Sequence, residues 1–270
     1  MAYILTENVL QTASSVTTTF TSGSENASFP FANVHDGNSG NGFKSGSVTQ
    51  PTVIVNVGGG TSVNAVGIYS TRDSIFTVNV YINTATTTDP DHASWVQMNF
   101  NAGGVNITNL IINKQRSAVL GVTSAIVGNI SSFKFVFSNL SSVDDVINNI
   151  SVGRAYEINI RRPYSPTMFK NFDVTTKRNN KGNPLLSSRI PAPVKLNLNT
   201  VKMTESDMKT LVNGIYAGIT ERPFFFTSSY DTASEDQPVA YYCIVDKQLD
   251  RPKYEDELNM SWNIKALGYT

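Results

Sequence analysis

The chain has 270 residues, 40% hydrophobic and only 16% charged, with 21 Lys+Arg against 21 Asp+Glu and a formal net charge of zero. A neutral chain of this length has enough apolar surface to bury without staples, and it is not built to coat nucleic acid or read its sequence. One Cys (Cys243) and two His (His35, His92) exclude a Cys cluster, a multi-ligand zinc site and an intramolecular disulfide framework, so neither metal nor cofactor is expected.

The opening residues show neither a basic n-region nor an apolar stretch of signal-peptide length. No run approaches the roughly 18 apolar residues of a membrane span. Synthesis in a cytoplasm, without a membrane partner, is the expectation. Six Asn-x-Ser/Thr triplets occur, the number that the Asn, Ser and Thr content gives by chance, so they carry no argument for secretion. Charge is uneven along the chain: residues 1–153 carry 5 Lys/Arg and 8 Asp/Glu, residues 154–270 carry 16 and 13. This shift predicts two domains, 1–155 and 156–270, meeting near Gly153 and Arg154.

In chain order, the first part reads as all-β. Thr52–Val57 is a β-branched run that ends at Gly58–Gly60, read as a strand-to-strand turn and not a phosphate loop, since no Lys-Ser/Thr follows. Strands follow at Val63–Ser70, Phe76–Ile82, Trp95–Phe100, Val119–Val122 and Ser132–Phe137, the last with Phe133, Phe135 and Phe137 on one face. Short strands without a long amphipathic helix predict a sandwich or jelly roll. The second part opens with strand-like Arg154–Arg162, then Phe172–Lys177, a polar loop over 179–184, and Pro191–Leu198. One helix is predicted over 204–218, capped by Thr204. Its apolar stripe is Met208, Leu211, Val212, Ile215 and Tyr216, with Gly218 as its C-terminal stop. Phe224–Thr227, Val239–Val245 and Asn259–Lys265 complete an α+β module. The fold class is mainly β: a β-sandwich jelly roll followed by a β-rich module with one helix.

Catalytic constellations are not evident, and no catalytic or metal-binding residue is assigned. Cys243 lies in an apolar strand, the setting of a structural thiol. His35-Asp36-Gly37 and Asp89–His92 read as turns, with a weak divalent-ion or ligand loop as the alternative. Asp250 and Glu255–Glu257 read as a solvated charge run, although paired carboxylates in the 231–257 region leave a glycosidase as a rival reading. Phe43, Tyr69 and Trp95 are possible sugar-stacking aromatics. Core packing is the default for Tyr69 and Trp95, whereas Phe43, between Gly42 and Lys44, is expected to be exposed. Phe43 and Trp95, with the polar turn Asp89–Ser94, are the ligand-binding candidates. Lys177, Arg178, Asn180 and Lys181 in the 176–184 loop form a candidate arm, ordered only by gripping a neighbouring subunit.

The stretches Phe31–Gly37, Phe43–Ser45, Thr52–Gly58 and Val63–Tyr69 resemble the discoidin-like, galactose-binding jelly roll. In that family an Asp-Gly turn precedes an aromatic-x-Ser triplet and a strand closing on Asp-Leu-Gly. Here Asp36-Gly37 matches the turn, Phe43-Lys44-Ser45 replaces the triplet, and Asn56-Val57-Gly58 replaces the closing tripeptide. The order of a short Asn8–Leu10 opening, a Ser/Thr-rich lead, this jelly roll and Gly153–Glu157 at its exit resembles virion proteins of tailed bacteriophages, of the distal-tail and baseplate-hub kind. That resemblance implies a non-enzymatic structural protein of the tail tip, synthesised in the host cytoplasm and carried in the virion. It also implies a homo-oligomeric ring through 156–270 with the jelly rolls outside, contacting tail tube, baseplate hub or fibre. A host-surface glycan is the possible ligand. The rival class is a free carbohydrate-binding adhesin or host-recognition accessory protein.

Overall fold

The computed structural model describes the chain except residues 1, 37, 39, 47–49, 71–74, 103–104, 114–116, 142–144, 161–170, 179–183, 228–239, 247–248 and 270, and gives residues 102, 105–106, 171–178 and 184–192 by backbone alone. The first elements are β1 (Ala2–Leu5), the single-turn helix α1 (Val9–Thr12), β2 (Thr17–Ser22) and a 3-10 turn at Phe31–Val34. There follow β3 (Thr52–Tyr69), β4 (Phe76–Asn83), β5 (Val96–Gln97), β6 (Phe100–Ala102), β7 (Val105–Ile107), β8 (Asn109–Ile112), β9 (Ala118–Ser138) and β10 (Asn149–Gly153).

Two long strands, β3 and β9, make the sandwich by bending midway. The first part of β3 (Thr52–Asn56) lies between β2 and the second part of β9, which pairs onward with β4 and, through it, with β5 and β8. The second part of β3 (Ala65–Tyr69) lies between the first part of β9 and β10. One sheet is thereby folded into two layers. Alternating residues Val53, Val55, Val66, Ile68, Val78, Val80, Phe133, Phe135 and Phe137 meet in one buried core between them, as a period of two requires. Gly58–Gly60 therefore do not separate two strands but sit at the bend inside β3. Gly58 takes φ +65, a conformation open to glycine at little cost. A Cβ on Gly60 would press on Asn129 at 3.2 Å. The predicted strands at 119–122 and 132–137 are likewise one bent strand.

The later elements are β11 (Ala155–Ile158), β12 (Asn171–Arg178), β13 (Pro184–Ala192), β14 (Val194–Asn199), β15 (Met203–Thr204), α2 (Glu205–Glu221), β16 (Phe224–Thr227), β17 (Ala240–Val245), β18 (Lys253–Tyr254), β19 (Asn259–Ser261) and β20 (Asn263–Tyr269). A second sheet has the order β11-β1-β16-β17-β20-β14. The strand that opens the chain belongs here: β1 pairs with β11 (Leu5 with Ala155) and with β16 (Tyr3 with Thr227). The whole jelly roll thus occupies the connection between two neighbouring antiparallel strands. The edges of this sheet approach one another where Ile160 and Thr200 form a bridge and Val201 N–H donates to Asn159 O at 2.7 Å.

The inner face of that sheet, with Ile4, Ile158, Leu198, Phe224, Phe226, Tyr241 and Ile264, packs on Met208, Leu211, Ile215 and Ile219 of α2. Thr204 caps the helix as expected, its Oγ1 accepting from Asp207 N–H at 3.2 Å. The far end differs from expectation. Tyr216 is 47% exposed, Ile219 takes the fourth core position, and the helix runs through Gly218 to Glu221. Gly218 is small for another reason: a Cβ there would lie 2.6 Å from Thr6 Cβ. The outer face of the sheet presents Leu5, Phe225, Ala240 and Tyr242 to Ala65, Tyr69, Ala118, Leu120 and Val122 of the jelly roll, forming a third buried cluster. Tyr69 and Tyr242 stack there at 4.3 Å and 9°. The ribbon β12–β13 pairs with neither sheet. The chain thus adopts the expected mainly β class, with one long helix among the described residues.

Candidate functional site

The jelly-roll aromatics separate clearly by environment. Phe43 is fully buried, contrary to the exposed position that its flanking glycine and lysine suggest. Its N–H donates to Ile147 O at 2.8 Å and its carbonyl accepts from Ile147 N–H at 3.0 Å. That bridge draws the ring between Phe31 (5.2 Å), Phe20 (5.9 Å) and Phe137 (6.0 Å). Phe43 is a core residue and offers no sugar platform. Tyr69 is spent on the contact with the second sheet, and burial first, then Tyr242 and Tyr269, pushes its phenol well above the ordinary range.

Trp95 is different. It is half-buried at the end of the 84–95 loop, which folds back over the outer face of the β4–β9 layer. Strand alternation puts Tyr81 and Lys134 on that face, paired across the two strands. The Lys134 ammonium lies 4.6 Å from the Tyr81 ring centre and 5.0 Å from that of Trp95, a double cation–π contact. It also donates to Pro90 O at 2.7 Å. Burial lowers the Lys134 pKa, and the Asp91 and Asp89 carboxylates act against that shift. The indole N–H donates to Asp89 O at 2.9 Å, so the ring is clamped at both its edge and its face.

The loop beneath is equally fixed. Asn83, buried at the end of β4, accepts from Ala85 N–H at 2.9 Å and reaches His92 Nδ1 at 3.3 Å. His92 Nδ1 also accepts from Ser94 N–H at 3.2 Å. The buried Ser132 hydroxyl lies 2.7 Å from Ala85 O and accepts from Thr87 N–H at 3.3 Å. A half-exposed aromatic on a hydrogen-bonded loop, bordered by carboxylates and an imidazole, is suited to stacking a flat apolar face while polar groups meet its edge. Sequence reasoning named Trp95 and the Asp89–Ser94 turn but missed Tyr81 and Lys134. Their signal was present: both fall on the solvent phase of alternating strands.

The remaining candidates are dispersed. Lys177 and Arg178 close β12, in register with Leu186 and Pro184, whereas Asn180 and Lys181 lie outside the described residues. Cys243 faces the core of the second sheet, and burial pushes its thiol well up, which is an inert setting. His35 follows the 3-10 turn beside Phe31 (6.5 Å). Its Nε2 is buried without a partner, and burial lowers its pKa while Asp36 pulls the other way. Asp250 pairs with Lys265 at 3.3 Å and Asp256 with Lys202 at 2.6 Å. Glu255 and Glu257 ride the exposed β18–β19 turn. Among the described residues no three His, Cys, Asp or Glu side chains gather as a metal site.

The chain matches no protein-family model and no curated protein sequence. Solved structures resemble about half of it. CpGH89CBM32-6 of Clostridium perfringens is 18% identical, covering 54% of this chain and 98% of its own at a TM-score of 0.40. The family 32 carbohydrate-binding module of C. perfringens NanJ, solved with galactose, is 11% identical, covering 58% and 100% at 0.38. A GH29 fucosidase of Ruminococcus gnavus is 13% identical, covering 56% of this chain and 27% of its own at 0.41. Likenesses of this size decide no function; the β-sandwich stands on its own strand pairing.

Proposed function

We propose that the jelly roll binds carbohydrate through the 84–95 loop, with Trp95 as the stacking platform. The observation that carries this reading is the clamped, half-exposed indole, held by Asp89 O and Lys134 over a loop whose polar groups are already ordered. Little conformational entropy is then lost on binding. One indole face meets Lys134, and the other would take a sugar ring. Asp89, Asp91 and His92 belong to the same loop and are the polar groups offered to a ligand's edge. The test is binding of the whole chain to a glycan array, followed by calorimetry on any hit. Trp95→Ala is expected to abolish binding with the melting temperature nearly unchanged. Wild-type protein that binds no glycan, or a Trp95→Ala variant that binds as well as wild type, would sink the reading.

A second reading is that of a ring-forming component of a phage tail tip; only its self-association has an observation behind it, since the β12–β13 ribbon pairs with neither sheet and a lone two-stranded ribbon is marginal in water. In this reading the chain divides into the proposed units 1–155 and 156–270, with Ala2–Leu5 lent to the second. Copies join through 156–270, and tail tube, baseplate hub or fibre proteins are the neighbours in the virion. Deleting 179–183 is expected to weaken association while leaving the circular dichroism spectrum unchanged.

A further inference from the structure

The helix α2 carries two unlike apolar features, one at each end. Beside its N-terminus, where Tyr254 bonds Glu205 and Thr204 pairs with Asn259, the β18–β19 hairpin projects Leu258, 78% exposed. This leucine is held rigidly. Asp256 Oδ1 accepts from Leu258 N–H at 3.1 Å, from Asn259 N–H at 2.9 Å and from Asn259 Nδ2 at 2.8 Å, while Oδ2 takes Lys202 Nζ at 2.6 Å. Beside its C-terminus lies an open groove of 370 Å³. Ile219 and Leu249 are buried at its floor, and Tyr216 and Ile244, 47% and 41% exposed, stand in its wall.

The knob and the groove are about 20 Å apart along the helix, at 1.5 Å per residue, so a knob cannot reach the groove of its own chain. Their charges are complementary. Glu257 directly precedes Leu258, with exposed Lys253 at the base of the hairpin, and the groove rim carries Arg222 and Glu221. Arg222 answers the acid at the tip, and Glu221 answers the lysine at its base. Leu258 is thus a large apolar side chain held out into solvent on a hydrogen-bonded turn.

We propose that Leu258 of one copy of this chain seats in the Tyr216–Ile244 groove of a second copy, a head-to-tail contact. Such a junction leaves an unfilled groove at one end and a free knob at the other, so copies add until the rotation closes a ring or continues as a filament. The proposal rests on the self-assembly part of the second reading above and is independent of glycan binding.

The test uses the full chain in sedimentation equilibrium. Wild type is expected to associate beyond the dimer. Leu258→Asp and Ile244→Asp, both at exposed positions, should each weaken association about tenfold or more with unchanged melting. Mixed together, the two variants retain one good knob and one good groove between them, so they should form a 1:1 dimer and stop there. Wild type that stays monomeric up to its solubility limit overturns both this contact and the assembly reading. Wild type that assembles while the variants assemble equally well, or whose variants fail to pair when mixed, overturns the contact alone.

Discussion

Asn8 shows how much a single side chain does at the base of the jelly roll. It is buried, donates to Ile150 O at 3.0 Å, and accepts from Leu10 N–H at 3.2 Å and Val152 N–H at 3.3 Å. Asn8→Ala leaves three buried groups unsatisfied and should cost roughly 3 kcal/mol in chemical denaturation. His35 gives a pH effect of definite sign. Its folded pKa lies below the unfolded value of 6.5, so between those values the unfolded chain binds more protons. The stability it contributes is present above the unfolded pKa and is lost as pH falls through the folded one. His35→Phe should narrow the difference in melting temperature between pH 7 and pH 5; an unchanged difference would rule out this histidine as the cause. Phe43 marks the limit of local reading. A Gly-Phe-Lys triplet looks like a loop tip, and only a bridge to Ile147, about a hundred residues away in sequence, makes it core.

Among the elements, glycines show which parts of the pattern were legible. The capping Thr204 and the 3.6 period announced α2, and Thr204→Ala should cost about 1 kcal/mol. Gly218, which looks like a stop signal, is instead a site of close packing against Thr6, and no local sequence feature reveals that. Gly67 is a parallel case in β3: a Cβ there would stand 2.5 Å from the Phe225 ring. Gly67→Ala is expected to destabilise by about 2 kcal/mol through overpacking, and pairing it with Phe225→Leu should recover part of the loss. The run Gly58–Gly60 reads locally as the end of a strand because glycine runs usually end pairing; here β3 and β9 lose pairing across it and resume it on the far side in a shifted register.

For the molecule as a whole, nothing in Ala2–Leu5 tells that this strand sits in the later sheet, and the charge shift near Gly153 does not reveal it either. The jelly roll and the second sheet share the Leu5, Tyr69, Phe225, Tyr242 cluster. An apolar contact with a stacked tyrosine pair should couple their unfolding. Calorimetry of wild type is expected to show one transition, and Tyr242→Ala, which opens a cavity at the centre of the cluster, should split it into two. A single unsplit peak at lower temperature would mean that the coupling lies elsewhere.

The position of β1 has a consequence for synthesis. It leaves the ribosome before either of its partners, Ala155–Ile158 and Phe224–Thr227, is made. Domains tend to fold as their residues emerge, so the jelly roll can complete itself while its own leading strand waits unpaired. The second sheet closes only when the last strands are released. The nascent chain thus carries an apolar four-residue flag, whose exposure to proteases or chaperones reports that its partner strands have not yet been made.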